Sequence, residues 1–380
     1  MIVTAHRATR VLAAMSLAIA CLAPTGKPAG ALQHWTLGPF TRPVTEPVIR
    51  PNPASVFDDP ILKAPVQWEA LHTFNPAAIV RDGKIFVLYR AEDNSGTMAI
   101  GMHISRLGLA ESEDGIHFAR RPDPVFYPAE DDQKEREWPG GVEDPRIVEA
   151  EDGTYVLTYT QWNRKTYTIG IATSRDLVTW VKHGPVFAGA AHGKYDSLNY
   201  KSSGIVTRLD GDRLVAAKIH GNYWMYWGEI QIRLARSSDL IHWTPVEDLT
   251  GKTVVLLHNR PRRFDSGFPE VGPPPLLTKQ GILLLYNGKN AAKEGDSSLD
   301  PNAYSGGQAL FSADDPTHLM ARTNEPYFRP ELPFEKSGQY AAGTTFTEGL
   351  VYFHSKWFLY YGCADSLAGV AVYDPHGERL

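Results

Sequence analysis

One carboxylate stands in a sequence context that suits acid–base chemistry. Residues 141–147 read Gly-Val-Glu-Asp-Pro-Arg-Ile, and Asp144 lies at the start of a predicted strand. An Asp before a Pro is also a common turn former, so this pattern alone leaves a structural and a catalytic role open. A carboxyl group placed beside a substrate can donate or accept a proton in the transition state. Asp144 is therefore the first candidate catalytic residue.

Two glutamates are the candidate partners of Asp144. Glu229 follows Trp227-Gly228, and Glu270 precedes Val271-Gly272-Pro273. The chain contains no Gly-x-Ser-x-Gly, His-Glu-x-x-His, Cys-x-x-Cys or Gly-x-x-x-x-Gly-Lys-Ser/Thr phosphate loop, which disfavours the common serine hydrolase, zinc and nucleotide-binding mechanisms. Two carboxylates that face one water would raise its nucleophilicity, and their repulsion would raise one pKa. No His and Asp residues show metal-ligand spacing, so we expect neither a metal nor an organic cofactor.

A repeated segment indicates how distant residues could meet. An apolar strand that ends in Ala-x-Ser, followed by Asp and an aromatic residue, recurs at about sixty-residue intervals, with a shortened copy at 369–374. The full copies are Leu109–Phe118, Ile171–Trp180, Leu234–Trp243 and, more loosely, Ala309–Leu319.

Short strands with period-two patterning and this repeat length predict an all-β, five-bladed β-propeller. A β-sandwich does not repeat at this interval, and a β-helix repeats at a much shorter one. The innermost strands of a propeller begin around one mouth of its channel, so we expect the residues at equivalent strand starts to converge there. These residues are Asn75, Asp144, Lys201, Glu270 and Glu348.

The composition excludes some partners. A hydrophobic fraction of 43% and a net charge of −5 provide no basic excess for binding nucleic acid. Residues 32–380 are predicted to form a single propeller domain, whose Pro-rich segment 32–67 wraps the outside or closes the ring.

The first thirty-one residues are predicted to be a signal peptide. His6, Arg7 and Arg10 precede the apolar run 11–23, and Ala29-Gly30-Ala31 resembles a cleavage site. The run is too short for a membrane span, which needs about 20 residues. A lipid anchor at Cys21 is the alternative. We expect an exported protein, periplasmic or extracellular, whose remaining Cys363 is a core residue.

Several motifs occur in the order found in one enzyme family. They are Phe74-Asn75-Pro76-Ala77, Leu88-Tyr89-Arg90-Ala91, Asp114-Gly115-Ile116-His117-Phe118, Gly141-Val142-Glu143-Asp144-Pro145-Arg146, Gly272-Pro273-Pro274-Pro275 with Leu284-Leu285-Tyr286-Asn287-Gly288, and Tyr360-Tyr361-Gly362-Cys363-Ala364-Asp365. Together, from about Trp68 to Asp374, they resemble glycoside hydrolase family 130, the β-mannoside phosphorylases and β-mannosidases.

The resemblance implies an inverting enzyme with a mannosyl unit in the donor subsite. It implies that Asp144 is the general acid, acting through a sugar hydroxyl, and that Asn75, Arg90 and Asp365 bind sugar hydroxyls. Glu229 and Glu270 resemble the paired glutamates of the hydrolase branch. Tyr226 and Trp138 are candidate stacking platforms, although a Trp in a loop often only packs at the rim.

The sequence leaves the second substrate open. Lys201, His220, Arg164 and Lys165 could instead bind inorganic phosphate, although a solvated turn or a hydrogen-bonded loop would equally explain the last three. Export favours release of free sugar over capture of a sugar phosphate. We therefore expect an exported, inverting hydrolase of β-mannosides, with β-1,2-linked manno-oligosaccharides as its substrates. The alternatives are a phosphorylase with inorganic phosphate as co-substrate, and a carbohydrate-binding propeller without turnover.

Overall fold

Short antiparallel strands joined by tight turns make up most of this computed structural model, which describes residue 1 and residues 35–377. A hairpin of β1 (Phe57–Asp59) and β2 (Ala64–Val66) comes first. Helical structure within these residues is limited to α1 (Lys134–Glu137) and two 3-10 turns, Ala190–Gly193 and Pro333–Glu335.

The remaining strands form five blades. Blade one contains β3 (His72–Arg81), β4 (Lys84–Glu92), β5 (Ser105–Ser112) and β6 (Ala119–Arg120). Blade two contains β7 (Gly141–Glu149), β8 (Tyr155–Trp162), β9 (Tyr167–Ser174) and β10 (Trp180–Pro185). Blade three contains β11 (Ser203–Ile205), β12 (Thr207–Asp210), β13 (Arg213–Ala216), β14 (Lys218–Ile219), β15 (Asn222–Trp227), β16 (Ile232–Ser237), β17 (Thr244–Pro245) and β18 (Val255–Leu257). Blade four contains β19 (Phe268–Val271), β20 (Leu276–Thr278), β21 (Gly281–Lys289), β22 (Tyr304–Phe311) and β23 (Leu319–Arg322). Blade five contains β24 (Thr345–Phe353), β25 (Lys356–Cys363) and β26 (Leu367–Tyr373).

Backbone contacts join each blade to the next. Parallel bridges connect Ser105 with Gly141, Glu149 with Val215, Thr207 with Leu276, and Tyr304 with Thr344. Between blades five and one, the Thr73 N–H donates to the Ser366 carbonyl at 3.0 Å. The fold is therefore the five-bladed β-propeller that the repeat predicted.

The Pro-rich segment completes blade five. The Thr41 and Val372 backbones exchange hydrogen bonds of 2.8 and 2.7 Å, and the Val48 N–H donates to the Ala368 carbonyl at 2.8 Å. A segment from the start of the described chain thus pairs with the last strand, β26. This pairing closes the ring as predicted, since it ties the two ends of the domain together.

The sequence repeat encodes a turn between the third and fourth strands of a blade. Ser112 Oγ accepts hydrogen bonds from the backbone N–H groups of Asp114 and Gly115, and Asp114 Oδ1 accepts from Ile116 and His117. The same pattern recurs around Ser174 and Asp176, and around Ser237 and Asp239. Side-chain oxygens replace the backbone partners that a sharp turn leaves unpaired.

Apolar side chains from neighbouring blades fill the space between the sheets. Leu88 of blade one and Leu157 of blade two, for example, are fully buried in one cluster. Full burial of such a side chain contributes about 1.5–3 kcal/mol. The polar residues of the channel are therefore held on a rigid ring. Cys363 is buried in the cluster between blades four and five, as predicted.

The predicted leader and the Cys21 anchor fall outside the described residues. Within the described part of the chain, no helix has the length and apolar character needed to cross a membrane. Within the described residues, the chain from Trp35 onward forms one compact unit.

A buried ion triad attaches the first hairpin to blade one. Arg106 on β5 lies 2.6 Å from Asp59 and 2.8 Å from Asp93, and its side chain is fully buried. Removal of the cation would leave two buried carboxylates without a countercharge, which is strongly destabilising.

We expect Arg106→Met to lower the free energy of unfolding by about 3–5 kcal/mol, because breaking a buried ion pair costs this much. Urea unfolding of the mature protein provides the measurement. The matched control is Arg175→Met, since Arg175 pairs with Asp152 at 2.8 Å but both side chains are well exposed. That change should cost at most about 1 kcal/mol. Equal losses in the two variants would contradict this assignment.

Candidate active site

A cavity of about 260 Å³ opens on the propeller and is lined by most of the predicted site residues. This volume is near the lower end of the roughly 300–1,000 Å³ that ligand pockets span, so it suits a small ligand such as one or two sugar rings. The predicted residues that line it are Asn75, Arg90, Asp144, Lys201, Glu229, Glu270 and Asp365. The structure therefore brings together seven residues that are distant in sequence.

Irregularities in the innermost strands aim the polar side chains. The pairing of β3 with β4 shifts between Phe74 and Ala77, and that of β7 with β8 shifts between Glu143 and Arg146. Asn75 and Asp144 both adopt a left-handed backbone with φ of 47°. Each precedes a Pro, which cannot donate to the strand ladder. A bulge of this kind re-aims a side chain that a regular strand would send elsewhere.

Asp144 is held by two donors. Asn75 Nδ2 donates to Asp144 Oδ1 at 2.8 Å, and Arg90 Nη1 donates to the same oxygen at 3.1 Å. Burial opposes ionisation of Asp144, but the charges of Arg90, Lys201 and Arg146 and the Asn75 hydrogen bond outweigh it and lower its pKa to about 2. Asp144 is therefore an anion in the free protein at neutral pH.

The second polar cluster is centred on an ammonium group. Lys201 Nζ lies 3.4 Å from Glu229 and 3.8 Å from Glu270, and Ser202 Oγ donates to Glu270. Burial, together with the nearby charge of Glu229, raises the pKa of Glu270 to about 7, although Lys201 and Ser202 act in the opposite direction. A carboxylate with a pKa near the working pH is well matched to accept a proton from water.

Carboxylates outnumber cations around the cavity. Among its described lining residues, the cations are Arg90 and Lys201, and each already contacts at least two carboxylates. The acidic lining residues are Glu143, Asp144, Glu229, Glu270 and Asp365. This excess of negative charge favours a neutral ligand over an anion.

Aromatic rings and a further carboxyl group complete the wall. Trp162, Tyr304 and Phe346 line the cavity and offer apolar faces to a sugar ring. Burial, together with the charges of Asp144 and Glu92, raises the pKa of Asp365 to about 6, although Arg90 acts in the opposite direction. A carboxylate of this kind can accept hydrogen bonds from sugar hydroxyls.

Glu348 does not reach the cavity, contrary to the prediction from its strand position. It also lies at a register shift, between Thr347 and Gly349, but its side chain is fully buried and lies 2.8 Å from Arg146. Burial raises its pKa well above the ordinary value. Arg146 also donates to the Asp144 carbonyl at 2.9 Å, so this pair supports the bulge that carries Asp144.

Two predicted binding residues lie elsewhere. His220 is exposed in the turn before β15, where its ring contacts the Asp314 carbonyl of blade four at 3.1 Å. Tyr226 is fully buried among the apolar residues between blades three and four, and its hydroxyl donates to the Pro316 carbonyl. The elongated hairpin of blade three projects His220 away from the channel, and strand alternation turns Tyr226 into the core.

The cavity lining also lacks the alternative phosphate-binding candidates Arg164 and Lys165 and the candidate stacking residue Trp138. Arg164 donates to the Met102 carbonyl at 2.7 Å, Lys165 is exposed, and Trp138 is half-buried. No group of His, Cys, Asp and Glu side chains within the described residues could hold a metal ion.

The sequence prediction missed Glu143 and Tyr167. Glu143 adjoins Asp144, and regular strand alternation would place the two on opposite faces. Tyr167 begins β9. Burial raises the pKa of Tyr167, and its interaction with Glu229 contributes in the same direction. The Pro that follows Asp144 is the one sequence signal that could have indicated the bulge.

Comparisons with known proteins converge on one family. The model of glycoside hydrolase family 130, described as β-1,4-mannooligosaccharide phosphorylase, matches residues 41–376. A 1,2-β-oligomannan phosphorylase of Thermoanaerobacter sp. strain X514 is 33% identical over 320 residues, which cover 83% of this chain and 95% of that protein.

Two solved structures are more similar in sequence. A glycosyl hydrolase from Bacteroides ovatus is 52% identical, with a TM-score of 0.90, and covers 92% of this chain and 97% of its own. A second structure has the same identity, TM-score and coverage. Its description says that family 130 of mannoside phosphorylases contains glycoside hydrolases that target β-1,2 mannosidic linkages in Candida mannan.

We expect Lys201→Met to raise the pKa of Glu270 further above about 7, because Lys201 is the main charge that lowers it. NMR titration of glutamate side-chain carbons measures this pKa, and Glu270→Gln identifies the resonance. Lys165→Met is the control, since Lys165 is an exposed lysine outside the cavity lining and should leave the titration unchanged. A pKa that falls or stays constant in Lys201→Met would contradict the arrangement.

Proposed function

Because the chain belongs to glycoside hydrolase family 130, whose model spans residues 41–376, we propose that it hydrolyses β-1,2-linked manno-oligosaccharides with inversion of configuration. The family acts on β-mannosides. The proposed linkage is supported by the named 1,2-β-oligomannan relative and by the β-1,2-directed hydrolases described with the 52% identical structure.

One observation carries the choice of water as the second substrate. The paired glutamates Glu229 and Glu270 contact a single ammonium, Lys201, within a cavity whose lining carboxylates exceed its cations. Glu270 has a pKa near 7, so a substantial fraction is available as a base at neutral pH. In the proposed reaction, Glu270 takes a proton from the water that attacks the anomeric carbon. Glu229 and Lys201 hold this water and the Glu270 carboxylate in place.

The other cluster acts on the leaving group. Asp144 is proposed to pass a proton to the glycosidic oxygen through a sugar hydroxyl, as in the family. Arg90 and Asn75 fix its carboxylate, and Asp365 offers an acceptor to the bound mannosyl unit. Because Asp144 is ionised in the free protein, a proton has to reach it before the bond breaks.

Phosphorolysis is the second candidate, and a specific observation favours it. The family description and the curated relative both name phosphorylases, and in this respect they support the phosphate alternative better than hydrolysis. In that reaction inorganic phosphate would replace water and produce mannose 1-phosphate. Against it stands the charge of the cavity, where Arg90 and Lys201 are already paired with carboxylates.

Export is part of the proposal. Its support is the sequence of residues 1–31, with basic residues, an apolar run and a small-residue cleavage pattern. Free mannose released outside the cytosol can be taken up as such, whereas a sugar phosphate conserves bond energy only where cytosolic metabolism can use it.

The product distinguishes these reactions. We expect the mature protein to release mannose from β-1,2-mannobiose in phosphate-free buffer, with no mannose 1-phosphate when phosphate is added. Chromatography with authentic standards provides the measurement, and Asp144→Asn should reduce turnover by at least about 100-fold. Mannose 1-phosphate formed only with phosphate would establish phosphorolysis, and binding without product would indicate a carbohydrate-binding propeller.

We expect Glu229→Gln to shift the acidic limb of the kcat/KM profile to lower pH by about one unit, because it removes a like charge that raises the Glu270 pKa. Glu270 must be unprotonated to act as a base, so wild-type activity should fall as the pH drops through about 7. Glu247→Gln is a control, since Glu247 pairs with Lys194 outside the cavity lining and should leave the limb in place. An unchanged acidic limb in Glu229→Gln would show that Glu229 does not raise the pKa of the base.

A further inference from the structure

Three carboxyl groups surround one guanidinium beside the cavity. Arg90 Nη2 donates to Glu92 at 2.6 Å and to Glu143 at 2.8 Å, while Nη1 donates to Asp144 at 3.1 Å. One positive charge cannot neutralise three buried negative charges, and like charges at this separation disfavour full ionisation. One of these carboxyls is therefore expected to retain a proton.

The hydrogen bonds indicate which carboxyl this is. Glu92 accepts from Arg90 on one oxygen and from Gln339 on the other, at 3.0 Å. Asp144 accepts from Asn75 and Arg90. Glu143 accepts from Arg90 at 2.8 Å and from Ser105 at 3.3 Å; both bonds reach Oε1, just as both bonds to Asp144 reach Oδ1.

Glu143 differs from Asp144 in its second donor, because Asn75 donates to Asp144 at 2.8 Å whereas the Ser105 bond to Glu143 is 3.3 Å long. The charges of Lys201 and Arg146 further favour the Asp144 anion. Within the described residues, no group donates a hydrogen bond to Glu143 Oε2, and this oxygen is not fully buried. An oxygen without a donor is the place where a proton costs least, because protonation there breaks no existing hydrogen bond. The Glu143 side chain lines the cavity, so a proton on this oxygen is accessible to it.

The bulge in β7 places this carboxyl beside Asp144. Consecutive residues of a regular strand point to opposite faces. The register shift between Glu143 and Arg146 and the left-handed backbone of Asp144 instead direct both neighbours into the cavity. Two adjacent carboxyls thus share one guanidinium and one cavity.

We propose that Glu143 holds the reaction's proton in the resting enzyme and supplies it to Asp144, so that the two residues act as a carboxyl pair with one proton. This assignment rests on the proposed glycosidase function. Glu143 is a positioning and proton-holding residue, whereas Asp144 remains the residue that faces the substrate.

The proton balance closes over one turnover. The Glu143 proton moves to the Asp144 carboxylate and from there, through the sugar hydroxyl, to the glycosidic oxygen, which also takes the electron pair of the breaking bond to the anomeric carbon. Water forms the new bond at that carbon and loses its proton to Glu270. After product release, Glu270 returns its proton to solvent and Glu143 takes one up.

The electrostatic environment agrees with this role. Burial, together with the charges of Asp144 and Glu92, raises the pKa of Glu143 to about 7, although Arg90 and Lys201 act in the opposite direction. Asp144, with its pKa near 2, is the anionic member of the pair. The charged or titratable groups that face this cluster are Arg90, Glu92, Asp144, Arg146, Lys201, Glu348, Asp365 and His72.

Titration of the free protein tests the location of the proton. With glutamate labelled at the side-chain carboxyl carbon, we expect two resonances to titrate near pH 7 in wild type, those of Glu143 and Glu270. The Glu143 resonance should be absent from Glu143→Gln. The Glu270 resonance, identified by Glu270→Gln, is the internal reference. If the resonance lost in Glu143→Gln instead titrates near the ordinary glutamate value of about 4.3, the proposal is overturned.

The alkaline limb of the rate profile tests the use of the proton. We expect wild-type kcat on β-1,2-mannobiose to fall as the pH rises through the Glu143 pKa, whereas Glu143→Gln should lose about 100-fold in kcat and the limb itself. Glu143→Asp should recover the limb. Glu92→Gln is the matched control, because it removes a charge from the same guanidinium but should keep the limb, at lower pH. A limb that persists in Glu143→Gln would overturn the proposal.

The two proposals fail differently. If the protein forms mannose 1-phosphate or no product, hydrolysis fails, but the titration in the free protein still decides where the proton resides. If mannose is released while Glu143 titrates as an ordinary carboxyl, hydrolysis stands and the proton-holding role fails.

Discussion

The central constraint on this structure is that buried carboxylates outnumber buried cations around the propeller channel. Arg90 contacts three acidic side chains, and Lys201 contacts two. Burial of an unpaired carboxylate costs several kcal/mol, so such a group either finds donors or keeps a proton. Both outcomes occur here, because Asp144 is held as an anion by its donors while burial raises the pKa of Glu270 and Glu143 to about 7. The division into charged and protonatable groups follows from the placement of three cations, Arg90 and Lys201 in the cavity lining and Arg146 beside it.

Much of this architecture could be predicted because the repeat has a local cause. The Ser and Asp of each copy satisfy the same turn, around Ser112 and Asp114 as around Ser237 and Asp239, so the repeat marks equivalent points in successive blades. The strand starts could then be placed around one mouth. Four of the nine predicted site positions lie in motifs of the family, and two more were placed by resemblance to its paired glutamates. The positions that line the cavity lie near strand ends or in the adjoining loops.

The failures have equally local causes. His220 was expected at the site because an imidazole could help to bind phosphate, whereas the hairpin of β14 and β15 carries it to the surface. Tyr226 pairs with Gly204, and its ring faces the apolar space between two blades. Glu143 was missed because a regular strand would turn it away from Asp144. Bulges and inserted hairpins change the facing of individual side chains without changing the number of blades, so a pattern of strands cannot reveal them.

Charge also bears on the choice between water and phosphate. At a separation of about 5 Å and an effective dielectric constant near 20, one carboxylate repels each unit of phosphate charge by about 3 kcal/mol. Water enters such a cavity without this cost, and Glu229 and Glu270 can orient it. A phosphate dianion would need cations that are not already committed to carboxylates, and the two cations of the described lining are both committed. An ancestor with the same blades could therefore change its second substrate through a few side chains at this position, since the chemistry on the Asp144 side requires a proton in either reaction.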